Sequence, residues 1–219
     1  MTTRCKFDTD LHDLRQAIIK LGKMVEERIA QSVESLARQD LELANQVIVG
    51  DIEINDLQAE IEEKCMCLIA TQQPFARDLR KIVAGFKISI NLERLGDLAV
   101  DIAKLTLRIG STPLIKPLID IPRMSETVKK MISLGLEAYV KEDKDAASKM
   151  AKMDDEVDHL YKQIFRELLV FMMEDPKTIN QSTYLLFASR FLERMGDYCT
   201  NIAEEIVYLE TGKRSDLNQ

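Results

Sequence analysis

An all-α fold of two tandem three-helix bundles, related by internal duplication and holding six helices in total, is what this sequence predicts. Three observations carry the prediction. Leu, Ile, Ala, Glu, Lys and Met dominate, while Gly (8) and Pro (5) are scarce and aromatics reach only 5%, a composition that favours helix over sheet. Apolar residues recur at 3/4 spacing almost throughout. The second half repeats the first, residue by residue.

Taken in order, the first helix spans about Asp8 to Arg38. Asp40 is a good N-cap for a second helix reading to about Ala70. Thr71–Gln72–Gln73–Pro74 interrupts it, and Pro74 suits the first position of a third helix, which continues to about Ile109. The stretch 110–122, GSTPLIKPLIDIP, holds three prolines and reads as a linker, because proline at that density cannot continue a helix. The pattern then restarts: a fourth helix from about Met124 to Val140, a fifth capped by Asp143 and reaching Met173, and a sixth capped by Asp175, with Pro176 at its first position, reaching Leu209. The longer helices approach 30 residues, roughly 45 Å at about 1.5 Å per residue, and amphipathic helices of that length with short turns belong in antiparallel bundles. The domains divide as 1–112 and 113–219.

The duplication keeps its landmarks in order. Asp40 matches Asp143; Asp51, Asn55, Leu57 and Ile61 match Asp154, Asp158, Leu160 and Ile164, all 103 apart. Pro74 matches Pro176. Asn91-Leu-Glu-Arg-Leu-Gly-Asp97 stands 100 residues before Phe191-Leu-Glu-Arg-Met-Gly-Asp197.

Composition excludes several function classes. Apolar residues at 46% and charged residues at 31% allow a packed core and argue against disorder. The net charge is −7, and neither half is basic (15 Lys/Arg against 18 Asp/Glu in 1–112, 15 against 19 in the rest), so the footprint of a nucleic-acid binder is absent. Neither a signal core nor an apolar run of about 18 residues is present, which predicts a cytoplasmic chain with no direct membrane insertion. Cys5, Cys65, Cys67 and Cys199 form no CxxC pair and read as small core residues in a reducing compartment. His12 and His159 stand apart from them, so a Cys/His zinc site is not expected.

The chemistry lies in acidic rows. On an ideal helix Ile88, Leu92, Leu95, Ala99 and Ile102 form the core stripe of the third helix, while Glu93, Asp97 and Asp101 stack at i, i+4, i+8 on the far side. Glu193, Asp197, Asn201 and Glu205 repeat that row on the sixth. Asp51 and Asn55 flank the Ile54–Leu57–Ile61–Cys65 stripe of the second helix, and Asp154 and Asp158 flank the Val157–Leu160–Ile164–Leu168 stripe of the fifth. Like charges one turn apart repel by a few tenths of a kcal/mol; a shared hard cation reverses that sign. A solvated acidic face is the plainer explanation of any single row. Arg94 and Arg194, three residues before Asp97 and Asp197, can pair with them, and Lys104 weakens the edge of the first site. Gly96 and Gly196, mid-helix, cost about 1 kcal/mol relative to Ala and mark either a close helix approach or room for a ligand.

LERLGDLAVDIAK and LERMGDYCTNIAEEI, one per half, with Gln73-Pro-Phe-Ala-Arg-Asp-Leu-Arg80 ahead of the first, resemble the twin signature of the PhoU family of phosphate-specific transport accessory proteins, from about Asp10 to Leu209. The resemblance implies two three-helix bundles whose acidic motifs, in some members, bind multinuclear iron or other metal clusters. Carried over, it implies Asp51, Glu93, Asp97 and Asp101 for one centre and Asp154, Asp158, Glu193, Asp197 and Asn201 for the other. Asn55 and Asn201 depart from an all-carboxylate pattern, and the ion could be an iron cluster, Mn, Mg or Zn. It further implies a non-enzymatic regulator that restrains the phosphate ABC transporter and the phosphate-sensing histidine kinase, and a homodimer. A helical metal-binding scaffold or storage protein without a phosphate role is the alternative. A metalloenzyme is disfavoured, since no Glu-x-x-His pair, nucleophile–base pair or phosphate-cradling Gly loop occurs.

Overall fold

The computed structural model describes residues 3–217, with side chains from residue 6; Cys5 therefore lies outside the described side chains. Among the described residues there is no strand. The elements are α1 (Thr3–Arg38), α2 (Leu41–Val49), α3 (Asp51–Gln72), α4 (Ala76–Ile109), α5 (Asp120–Lys141), α6 (Lys144–Ala151), α7 (Asp154–Glu174), a 3₁₀ turn (Pro176–Thr178) and α8 (Ile179–Thr211).

Two of the three expected caps sit where the sequence placed them, whereas Asp175 caps the 3₁₀ turn, accepting from Lys177 N at 3.0 Å, and not α8. Asp40 Oδ1 accepts from Leu43 N at 2.9 Å, and Asp143 Oδ1 accepts from Asp145 N and Ala146 N at 2.9 and 3.0 Å, satisfying amides that have no partner within the helix. Two further details differ from expectation. The second helix of each half is broken, at Gly50 and at Lys152–Met153, so that α3 and α7 begin afresh at Asp51 and Asp154. Pro74 precedes α4 instead of opening it, while Pro122 lies in the first turn of α5, where its missing N–H costs nothing.

The first helix of each half ends on a left-handed residue, Gln39 (φ 55°) and Glu142 (φ 54°). Neither is glycine, so each carries the strain of about 1–2 kcal/mol that Cβ imposes there. Each is held by its side chain. Gln39 Nε2 donates to Gly110 O and Thr112 O at 3.0 and 2.6 Å. Glu142 takes Arg15, Arg77 and Lys81 at 3.4, 3.1 and 2.6 Å.

The halves are α1–α4 and α5–α8, but they share one core. Ile88, Leu92, Leu95, Ala99 and Ile102 of α4 and Leu192, Met195, Cys199 and Ile206 of α8 belong to a single buried cluster with α1 and α5. Helices α4 and α8 pack along the middle of the molecule, flanked by α3 and α7, with α1 and α5 laid against them. Lys87, early in α4, pairs with Glu205, late in α8, at 2.7 Å, so the two central helices run antiparallel. The two sequence repeats therefore meet in a shared buried cluster. No helix among the described residues is long and apolar enough to cross a membrane.

Candidate metal centres

The breaks in the second helices create the acidic seams. Once the chain turns at Gly50, α3 starts with Asp51 in its first turn; after Met153, α7 starts with Asp154, Asp155 and Glu156. Carboxylates there are favoured by the positive end of the helix dipole. Ile54 and Ile61 (both 0% exposed), with Leu57 beside them, then bury α3 against α4, and Val157, Leu160 and Ile164 bury α7 against α8.

Gly96 and Gly196 are the positions where those seams close most tightly. A Cβ on Gly96 would stand 3.2 Å from Ile54 Cγ2 and 3.7 Å from Asp51 Oδ1; one on Gly196 would collide with Asp154 Oδ1. The close helix approach is what these contacts show, with the space beside each glycine taken by an aspartate of the neighbouring helix. Asp51 Oδ1, Asp154 Oδ1 and Glu193 Oε2 are buried and accept no hydrogen bond, an expensive state for charged oxygens.

Electrostatics show which acids meet. Burial first, then the charges of Asp97 and Asp51, push Glu93 above the usual carboxylate range, with Arg94 opposing. Asp97 rises through burial and then through Asp51 and Asp101, again against Arg94. In the second half burial, followed by Asp197, Asp158, Glu193 and Asp155, pushes Asp154 up to about 7. Glu193 and Asp197 rise as well, mainly by burial, with Arg190 pulling both down. Asp51 therefore acts on Glu93 and Asp97, and Asp197 and Glu193 on Asp154, across the α3–α4 and α7–α8 pairs. The rows lie on partly covered seams and not on the far, fully solvated side that an ideal isolated helix suggests; the Glu193 side chain is only 12% exposed.

The outer members behave differently. Asn55 Nδ2 donates to Asp51 Oδ2 at 3.0 Å, Lys104 holds Asp101 at 2.9 Å, and Lys162 holds Asp158 at 2.9 Å. Asn201 lines another cleft with Glu204, Glu205, Tyr208 and Arg214. Arg94 pairs with Glu93 at 3.7 Å, and Arg194 reaches Tyr198 Oη at 3.5 Å; the short ion pair of the second seam is Arg190 with Glu193. Arg190 and Asp155 were not singled out from sequence, although i, i+3 spacing to Glu193 and adjacency to Asp154 are the signals that mark them. No group of three or more His, Cys, Asp and Glu among the described residues is arranged to hold a metal ion.

The donors nonetheless fit a hard cation. They are oxygens without His or Cys, and Asp51 Oδ1 and Asp154 Oδ1 are buried without a hydrogen-bond donor. Asp51, Glu93 and Asp97 would hold it in one seam, and Asp154, Asp158, Glu193 and Asp197 in the other.

The PhoU domain model matches this chain twice, over residues 18–106 and 121–206. The phosphate-specific transport system accessory protein PhoU homolog of Clostridium acetobutylicum is 46% identical over 217 residues, covering 99% of each chain. The Caulobacter vibrioides homolog is 42% identical, covering 94% of this chain and 90% of its own. PhoU from Pseudomonas aeruginosa superposes with a TM-score of 0.90 at 36% identity, covering 94% of this chain and all of that one. The phosphate transport system regulatory protein PhoU from Streptococcus pneumoniae gives 0.89 at 33%, covering 96% and 99%.

Proposed function

Because the chain belongs to the PhoU family, we propose that it is a non-enzymatic accessory protein that regulates phosphate uptake. The observation that carries this is the match of both domains to relatives named for the phosphate-specific transport system, over nearly the whole chain. In this reading it works in the cytoplasm as a homodimer, restraining the phosphate ABC transporter and its sensor histidine kinase. Long helical faces, which are suited to receiving a partner helix, support it.

The acidic seams serve this role as cation sites. A bound hard cation supplies positive charge at the point where carboxylates from two helices repel. Asp51 and Asp154 present buried oxygens to it from α3 and α7, and Glu93 with Asp97, or Glu193 with Asp197, present theirs from α4 or α8. In its absence Lys104 neutralises Asp101, Lys162 neutralises Asp158 and Arg190 neutralises Glu193. Joining α3 to α4 and α7 to α8 in this way fixes the surface that a partner reads.

Deleting the gene and following a phosphate-responsive promoter tests the regulatory role. Loss of repression at high phosphate is expected, and unchanged repression would leave a helical metal-binding scaffold as the surviving account. Elemental analysis of purified protein tests the cation sites, with Asp97→Ala and Asp197→Ala as controls.

A further inference from the structure

The end of the molecule away from the acidic rows carries a second charged feature, of opposite sign. A cavity of about 230 Å³ opens between the start of α1, the start of α4 and the end of α5, lined among others by Asp8, His12, Arg15, Lys81 and Tyr139. Arg15 and Lys81 both reach the same oxygen of Glu142, at 3.4 and 2.6 Å, and Arg77 takes the other oxygen at 3.1 Å. Three cations thus converge on one carboxylate whose side chain is only 15% exposed. Asp8 on the wall removes one further positive charge, and the balance remains positive. The Arg15 and Lys81 side chains keep 30% and 25% of their surface, so solvent reaches them through the cavity.

The duplicate supplies the control. At the equivalent junction of the other half, Gln39 stands for Glu142, Gln181 for Lys81, Leu118 for Arg15 and Ile115 for His12. The linker fills that junction. Gln181 Nε2 donates to Pro113 O at 3.0 Å, and Ile115 N donates to Gln181 Oε1 at 2.6 Å. The same fold therefore closes this corner with amides and apolar side chains where Arg15 and Lys81 stand, although Lys177 is the counterpart of Arg77, so the two cavity cations are not required by the architecture. Partly enclosed cations in excess of their counter-charge favour an anion. Arg15 has five N–H donors and Lys81 three, far more than Glu142 occupies, and a cavity holding several waters at about 30 Å³ each admits a small polyatomic ion.

We propose that this cavity binds a small, doubly charged oxyanion, gripped by Arg15 and Lys81 while Glu142 holds both cations in place. The ion is a free one, since the cavity is a bounded recess and not an exposed basic face. The site is separate from the acidic seams and rests on neither the metal nor the regulatory reading. Calorimetric titration of the metal-free full-length chain with inorganic phosphate, at constant ionic strength, tests it. Saturable binding is expected, competed by sulfate and not by chloride. Arg15→Gln and Lys81→Gln should each weaken it by at least about tenfold, the worth of one charge-assisted hydrogen bond. Both variants leave two cations on Glu142 and keep the helical circular dichroism. Lys129→Gln, at a surface ion pair with Glu126 outside the cavity, should leave the affinity unchanged. Absence of saturation, affinities unmoved by both cavity variants, loss of binding in Lys129→Gln, or binding of phosphatidylglycerol vesicles without binding of the free ion would each overturn the assignment.

Discussion

Asp154 Oδ1 occupies the space where a side chain at Gly196 would begin. The equivalent pair, Asp51 and Gly96, is looser, with 3.7 Å between the carboxylate oxygen and an added Cβ. One extra methyl group therefore distinguishes the two seams. Gly196→Ala gains helix propensity worth about 1 kcal/mol but drives the Asp154 carboxylate off its position. Divalent-cation binding at the second seam should be lost, with stability of the metal-free chain changed by no more than about 1 kcal/mol. Gly96→Ala should keep binding at the first seam. Calorimetric titration with Mn²⁺ and urea denaturation read the two effects separately.

The metal-free chain should lose stability as pH rises from about 4 to about 7. Asp154 is displaced from an ordinary 3.8 to about 7, and Glu93, Asp97, Glu193 and Asp197 are displaced in the same direction. Across that window the folded state holds a proton that the unfolded state has released, so stability falls with pH and then levels off. Taken in full, the Asp154 displacement is worth about 4 kcal/mol, and solvent screening of a half-buried group reduces it to about 1–2 kcal/mol. Asp154→Asn should flatten the slope and raise stability at pH 8. Urea midpoints in EDTA from pH 4 to 8 check this, and a rising profile in the native chain would contradict it.

The two seams should differ in affinity. The second gathers Asp154, Asp158, Glu193 and Asp197, whereas the first has Asn55 at the place of Asp158. One missing carboxylate should weaken the first seam for Mn²⁺ by about tenfold, the effect of one charge-assisted contact. Asn55→Asp should narrow the gap, and Asp197→Asn should remove the tighter phase of the titration.

Gln181 should govern the order of the linker. Its side chain is 8% exposed and bonds both Pro113 O and Ile115 N. Gln181→Ala leaves two backbone groups unpaired at a cost of about 1–3 kcal/mol. Amide exchange across 110–116 should accelerate, while exchange in α4 and α8 stays near the wild-type rate.

Hydrophobic periodicity, cap residues and repeat spacing were readable from the chain alone because they are local. Asp40 and Asp143 cap helices wherever those helices lie, and the stripe from Ile88 to Ile102 must be buried against something. The acidic rows were equally visible, whereas the pairing of Asp51 with Glu93 and Asp97 was an expectation that depended on the two helices lying in register. The breaks at Gly50 and Lys152–Met153 were missed, since apolar spacing runs through them undisturbed.

What tertiary structure alone decided was the surroundings of those groups. Helix spacing alone favours Arg190, at i, i+3, over Arg194 as the partner of Glu193; tertiary packing adds the Tyr161 ring of α7, 5.7 Å from the Arg190 guanidinium. Whether an acidic row faces water or a seam depends on how far the neighbouring helix reaches over it, and that follows from Gly96 and Gly196 admitting α3 and α7 so closely. The meeting of Arg15, Arg77 and Lys81 on Glu142 joins residues up to 127 positions apart. Charge neighbourhoods of that kind are set by side-chain volumes summed over the whole core, which no local pattern records.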